Sequence, residues 1–185
     1  MTKIQIKSNI ALKNVFLILI SLLLVALVWI GVMIAEPGRI TWFAGIQPTN
    51  LGVQSDQLAP CPNTPNCVSS QSLDPEHSIE PFTYKVSPEK AFSDIKTVIQ
   101  SLDRTKIITE TENYLYAEFT SAIMGFVDDV EFHLDKDAKV IHVRSASRLG
   151  ESDLGVNRKR IETIRAELND LLKRGDRRQE TGDRR

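Results

Sequence analysis

The sequence predicts an α+β domain, a two-layer antiparallel sheet with two helices on one face, set behind a single N-terminal transmembrane helix. Three observations predict it. A charge-free run of 22 residues spans Asn14 to Ala35. Apolar residues recur at helical spacing from Ser87 to Leu102 and again from Val156 to Lys173. Between these two helices lie short stretches that alternate apolar and polar residues, the period of a strand.

The apolar run reaches roughly 33 Å as a helix, enough to cross a hydrocarbon core of about 30 Å. Lys3, Lys7 and Lys13 precede it, and no acidic residue appears before Glu36. Positive flanks stay cytoplasmic, so residues 1–13 read as a cytoplasmic leader, 14–35 as the span, and the remainder as exported. A cleaved signal peptide has a shorter apolar core of about 7–15 residues. Gly31, Ala35 and Gly38 form no A-x-A site, and Leu58-Ala59-Pro60-Cys61 has proline where a lipoprotein cleavage site needs a small residue. The run therefore reads as a retained signal anchor. Trp42 and Phe43 follow it closely, where aromatic rings favour the headgroup level.

From Glu36 to Ser87 the chain is rich in Pro, Gly, Asn, Ser and Gln without sustained periodicity. Residues 36–57 read as a linker, and those from Leu58 as the irregular N-terminal arm of a domain ending at Leu172. Ser87 suits an N-cap and Pro88 the first helical position. Ala91, Phe92, Ile95, Val98, Ile99 and Leu102 then share one face. Strands follow at Lys106–Glu110, Tyr114–Ser121, Phe126–Leu134 and Val140–Ser147. In the third, Val130, Phe132 and Leu134 oppose Asp129, Glu131 and His133. The last helix, with Ile161, Ile164, Leu168, Leu171 and Leu172 on one face, is expected to stop near Lys173, leaving residues 173–185 as a charged disordered tail. About 115 residues suffice for one core.

Overall the chain carries 23 basic and 24 acidic residues, and three of the lysines precede the span, so the exported part is acidic. Nucleic-acid binding, which needs basic surface to displace counterions, is excluded. The lipid bilayer is the expected partner of the anchor. No cofactor motif is present: there is no glycine-rich phosphate loop, no H-E-x-x-H and no nucleophile elbow.

The only cysteines, Cys61 and Cys67, have five residues between them in Cys-Pro-Asn-Thr-Pro-Asn-Cys. That spacing is wrong for a thioredoxin-type pair and gives half a zinc site, so in an exported segment a structural disulfide is expected. Closing so small a loop stabilises by roughly 2–3 kcal/mol on the chain-entropy model.

Between the last strand and last helix lies a polar loop bounded by Gly150 and Gly155. It presents Arg144, Ser145, Ser147, Arg148, Asp153, Asn157 and Arg158 as an anion or polar-ligand site, with helix N-terminal amides nearby. The competing assignment is ion pairing, of Asp129 or Glu131 with Arg144 across the sheet, and of Arg158 or Arg160 with the acidic loop. Asp128 and Asp129 are the general acid/base candidates, although adjacent strand residues point to opposite faces and do not form a dyad. Asp128 falls on the apolar face and needs a partner, such as an arginine from the loop after the last strand. His133 and His142 meet across the hairpin on the polar face, where a metal would need Glu131 or Glu118 as a third ligand. Exposed histidines without metal are the expectation, and His77 carries no assignment.

Several segments resemble the family catalogued as domain of unknown function 1499. They are Leu58 to Pro62 with Pro65-Asn66-Cys67-Val68-Ser69-Ser70, then Phe126 to Val130, Val143 to Gly150, and Asp153 to Arg158. The resemblance spans about Leu51 to Leu172. It implies a bacterial or plastid protein behind a signal or membrane segment, and it brings no activity or catalytic role.

Two function classes follow. The first is a membrane-anchored binding or scaffold module of the cell envelope. It would hold a small anionic or lipid ligand, or an envelope protein, through the arginine loop and an open polar face with Tyr114, Tyr116, Glu118, Glu131 and His142. The second is an envelope hydrolase or transferase with Asp128 or Asp129 as base. Both place the domain in the periplasm at the bacterial inner membrane, or facing the lumen from a plastid membrane.

Overall fold

The computed structural model describes residues 2–35 and 43–182, with side chains over 13–32 and 43–175. Gly38, Trp42, and the side chains of Lys3, Lys7 and the terminal arginines from Arg177 on lie outside these. Helix α1 runs Thr2–Ala35, so the leader continues the span, whose most apolar stretch is Lys13–Val32. This helix is long and apolar enough to cross a membrane.

The part of the chain after α1 is α+β. Two short strands, β1 (Cys67–Ser69) and β2 (Phe82–Thr83), precede α2 (Pro88–Ser101). Then come β3 (Thr105–Glu110), β4 (Tyr114–Thr120), β5 (Val127–Asp135), β6 (Val140–Ser147) and α3 (Val156–Gly182). The strands form one antiparallel sheet in the order β1-β6-β5-β4-β3, with β2 pairing further along the same edge of β6.

Helix α2 starts as expected: Ser87 Oγ accepts from Lys90 N at 3.3 Å and proline fills the first turn. Ile95, Val98 and Ile99 pack with Ile161 and Ile164 of α3 on Leu115, Val130, Phe132 and Val143 of the sheet. Each such side chain buried stabilises by about 1.5–3 kcal/mol. Helix α3 does not stop at Lys173 but continues to Gly182, so the expected disordered tail is helical over most of its length. Arg, Lys, Glu and Gln are good helix formers and dominate that stretch, with no proline to end it.

The larger departure concerns the other face of the sheet. Every residue from Val127 to Leu134 is buried, so both faces of β5 are covered. The cover is the segment expected to be a linker. Phe43 packs on Phe126 with ring centroids 5.3 Å apart, and Gly52 N donates to Glu131 Oε1 at 2.8 Å in mid-sheet. A turn at Gln54–Gln57 reverses the chain, with Ser55 and Asp56 in left-handed conformation. Leu58 N then donates to Gln71 Oε1 at 2.9 Å, and the Cys61–Cys67 disulfide fastens the return to β1. The domain therefore begins at or before Phe43, and its polar face is not the open platform expected. Composition hid this because the arm is held by backbone groups and close approach, which leave no periodicity.

Gly45 sets that approach. Its φ is +69°, and a Cβ there would lie 2.8 Å from Arg148 Cβ and 3.1 Å from Leu149 Cγ. Gly45→Ala is expected to lose about 1–3 kcal/mol in urea denaturation, from overpacking and a disfavoured φ. At Gly52, where φ is +111° but nothing lies within 4 Å, alanine is expected to cost only the conformational part. Equal losses at both sites would show that the arm does not bear on Arg148.

Candidate functional site

Alternation along the strands places three rows of polar side chains beneath the arm. The register aligns Glu118 with Asp129, Tyr116 with Glu131 and Arg144, and Tyr114 with His133 and His142. Two similar units result. Tyr116 donates its hydroxyl to Asp129 Oδ1 at 2.6 Å, and Tyr114 donates to Glu131 Oε1 at 2.8 Å, each along a diagonal of the sheet. Each carboxylate also binds a guanidinium. Arg144 Nη1 lies 3.2 Å from Glu131 Oε2. Arg148 donates through Nε to both Asp129 oxygens at 3.1 and 3.0 Å, and through Nη2 to Asp129 Oδ1 at 2.7 Å, to the Tyr116 hydroxyl at 2.9 Å and to Glu118.

Asp129 and Glu131 are at most 1% exposed. An unpaired charge at that depth is costly, and each carboxylate meets a guanidinium and a phenol. Burial first, then the adjacent Glu131 charge, raises the Tyr114 pKa. Burial first, then the bond to Asp129, raises that of Tyr116. Both phenols stay protonated donors. Burial works against the Arg148 charge, but its bonds to Asp129 and Glu118 outweigh this and raise its pKa.

His133 and His142 meet as expected, with rings stacked and centroids 6.4 Å apart. They are not an exposed pair, because His133 is 2% exposed below the arm. His142 Nδ1 lies 3.1 Å from Ser70 Oγ. Among the described residues no group of three or more His, Cys, Asp or Glu is arranged to hold a metal ion. His77 is buried against the arm, its Nδ1 at 2.9 Å from Cys67 O.

A second polar seam lies on the helix side. Asp128, Ser145 and Ser147 project among core residues and meet the first turns of α3. Asp128 pairs with Arg160 of α3, not with an arginine of the preceding loop, and Arg160 stacks 5.1 Å over Phe119. Fully buried Asn157 accepts from Ser145 Oγ at 2.5 Å. Its Nδ2 reaches Asn66 O at 2.9 Å and Ser147 Oγ at 3.0 Å. Asn66 Nδ2 donates to Gly150 O at 2.6 Å, closing the seam onto the disulfide loop.

The expected ligand-binding residues are thus dispersed. Arg144 and Arg148 lie under the arm, whereas Arg158 clamps the carbonyls of Ser78 and Glu76 at 2.7 and 2.9 Å. Neither Arg158 nor Arg160 pairs with the acidic loop. At the α3 N-terminus Asp153 already accepts from Gly155 N at 2.9 Å and from Asn157 N at 2.7 Å. Sequence reasoning gave Arg160 the wrong partner, gave Asn66 no role and missed Gly45. Arg160 was detectable as the residue three after Asn157 on the same helix face, whereas Gly45 left no signal.

Open space lies elsewhere. A cavity of about 410 Å³ sits between Asp56 of the arm, the β3–β4 loop at Asn113 and the β5–β6 turn, with His133 in its wall. Another of about 300 Å³ borders the disulfide, Gln71 and His77. Neither is lined by Arg144, Arg148 or Arg158.

A family model described as "Protein of unknown function (DUF1499)" matches residues 57–168, and the chain belongs to that family. No curated protein matches it.

Arg148→Met leaves Asp129 buried without its charge partner and is expected to cost about 3–5 kcal/mol in denaturant midpoint analysis. Adding Asp129→Asn should recover most of that loss. A cost below about 1 kcal/mol would mean that the pair is solvated in practice. Burial, with a smaller contribution from neighbouring His133, lowers the pKa of His142 below its ordinary 6.5 against the opposing pull of Asp135. The unfolded chain then binds a proton there more readily than the native one. Stability is unaffected by His142 well above pH 6.5, and falls as pH drops from there through the native value. Thermal melts of His142→Gln from about pH 7 to about pH 5 should show a shallower decline than the parent, and parallel curves would reject the assignment.

Proposed function

For this member of the family we propose a non-catalytic binding or scaffold role, with the domain exported and held at the membrane by α1. The observation that carries this is the state of its acid/base candidates. Asp128 is engaged by Arg160, Asp129 by Arg148 and Tyr116, and Glu131 by Arg144, Tyr114 and the Gly52 amide. A general base needs a lone pair within reach of a substrate proton. Here at least one oxygen of each carboxylate is committed to holding layers of the fold together. A hydrolase or transferase using Asp128 or Asp129 would first have to break a buried ion pair.

The lysines before the span and the disulfide after it support a cytoplasmic N-terminus and an oxidising compartment for the domain. The periplasmic side of a bacterial inner membrane fits both, and a plastid lumen is the alternative. The partners proposed are lipid, an envelope protein or a small anion. One observation favours the last: Arg144 Nε is buried without a hydrogen-bond partner.

Native mass spectrometry of the full-length protein, extracted gently from its membrane, tests the reading. A discrete added mass, small molecule or polypeptide, is expected and should persist in Asp128→Asn. Its loss in Arg144→Lys, which keeps a charge beside Glu131 but removes Nε, would place an anion at that residue. A bare chain would reject the binding role, as would turnover of envelope material that stops in Asp128→Asn or Asp129→Asn while the fold is retained.

A further inference from the structure

We propose that one end of the exported domain docks on the bilayer that α1 crosses, with the exposed apolar side chains of its β4–β5 and β6–α3 loops entering the interfacial region. The inference rests on α1 being a retained anchor, as in the function proposed above.

The topology brings these loops together. The register pairs Thr120 with Val127 and Asp128 with Ser147, so the turns after β4 and β6 emerge from the same end of the sheet. The start of the arm joins them: Phe43 packs on Phe126, and Gly45 lies against Leu149. This end presents Ile46 at 91% exposure, Ile123 at 84% and Leu154 at 95%, with Met124, Phe43 and Leu149 more than a third exposed. Single exposed apolar residues are ordinary, but several gathered at one end of a sheet point to an interaction surface. The opposite end differs. Its β3–β4 and β5–β6 turns carry Thr111, Glu112 and Asn113, and Lys136, Asp137, Ala138 and Lys139, with no large apolar side chain, and the β2–α2 connection there adds Val86 at 44% exposure.

Leu154 adds an independent observation. Its φ is +54°, a left-handed conformation disfavoured for leucine, and its side chain contributes almost no buried surface to the fold. Asp153 holds that conformation through its bonds to Gly155 N and Asn157 N. The fold thus maintains a strained tip that carries a leucine outward.

Chain length identifies the occupant. Seven residues lie between Ala35, the last of α1, and Phe43, so the eight Cα–Cα steps reach at most about 29 Å when fully extended. The end bearing Phe43 must therefore stay near the membrane, whichever way the rest of the domain points. Asp103, Arg104 and Glu151 surround it with mixed charge, so the docking is apolar and does not need anionic lipid. Side chains of an interfacial element enter to a depth of about 5–10 Å.

The test uses the full chain with Trp29→Phe and Trp42→Phe, in phosphatidylcholine nanodiscs containing lipid brominated near the top of the acyl chain. Single tryptophans are placed by Ile123→Trp, Leu154→Trp or Ile46→Trp, with Asp137→Trp at the opposite end as control. Blue-shifted emission is expected at positions 123, 154 and 46, with quenching to roughly half by the brominated lipid at the depth given above. The control should be unshifted and unquenched. Three independent reporters cover the case in which one variant fails to fold. Water-exposed, unquenched emission at 123, 154 and 46 overturns the proposal, and a blue shift without quenching overturns it in favour of a protein contact. The intact mass of the chain recovered from native membranes separates the two ways of failing. A chain lacking α1 removes the anchored reading itself, whereas an intact chain with unquenched reporters removes only the docking.

Discussion

Asp129 and Glu131 lie on the face of β5 opposite the hydrophobic core, and the arm closes over them. That closure is possible only because each carboxylate meets a guanidinium and a phenol before it loses water. Burying an isolated carboxylate costs many kcal/mol, far more than any contact the arm makes could return. Arg144 and Arg148 are thus the condition under which the second face of the sheet can be covered at all. The arm in turn contributes the Gly52 amide as a further donor to Glu131. Covering layer and covered charge are mutually dependent.

The seam on the helix side follows the same rule with weaker partners. Ser145 and Ser147 alternate onto the core face of β6, where apolar residues would be the simple choice, and Asp128 stands beside them on β5. Asn157 and Arg160 from α3 satisfy them, and Asn157 also reaches the Asn66 carbonyl next to Cys67. A single asparagine therefore ties the last helix, the last strand and the disulfide loop. Its amide offers donors and an acceptor in fixed directions, which apolar packing does not, so it sets where α3 begins relative to the sheet. The family-like segments around Asn66, Asp128, Ser145 and Asn157 are in this structure parts of one hydrogen-bonded seam.

What could be read from the residues followed periodicity. The α2 stripe, the alternation in β4 to β6 and the N-cap at Ser87 each leave a local pattern, and each element formed where that pattern stands. The Glu131–Arg144 pair was also legible, because alternation and a short hairpin put those residues opposite one another. The arm was not. Its fixing points are a backbone amide at Gly52, a close approach at Gly45 and a turn at Ser55-Asp56, and none requires a recurring side-chain type. The open polar face was an inference from alternation alone, which reports which face is apolar and says nothing about whether the polar one is covered. Similarly, Arg148 and Arg158 are near in sequence but separate in space, since the chain passes from the sheet's polar side to its helix side between them.

This division bears on how the arginine-rich loop should be understood. A loop carrying arginines beside glycines and a helix start satisfies every local criterion for an anion site. Here Asp153 already occupies the helix amides, and the arginines go to carboxylates and carbonyls supplied by distant strands and the arm. Local pattern defines what such side chains are able to bind. Tertiary structure decides whether the protein itself has already supplied it. Arg144 Nε apart, the arginine donors are engaged internally, and open space includes the acidic cavity near His133, the groove beside the disulfide and a pocket lined by Glu89, Phe92, Lys96 and Glu110.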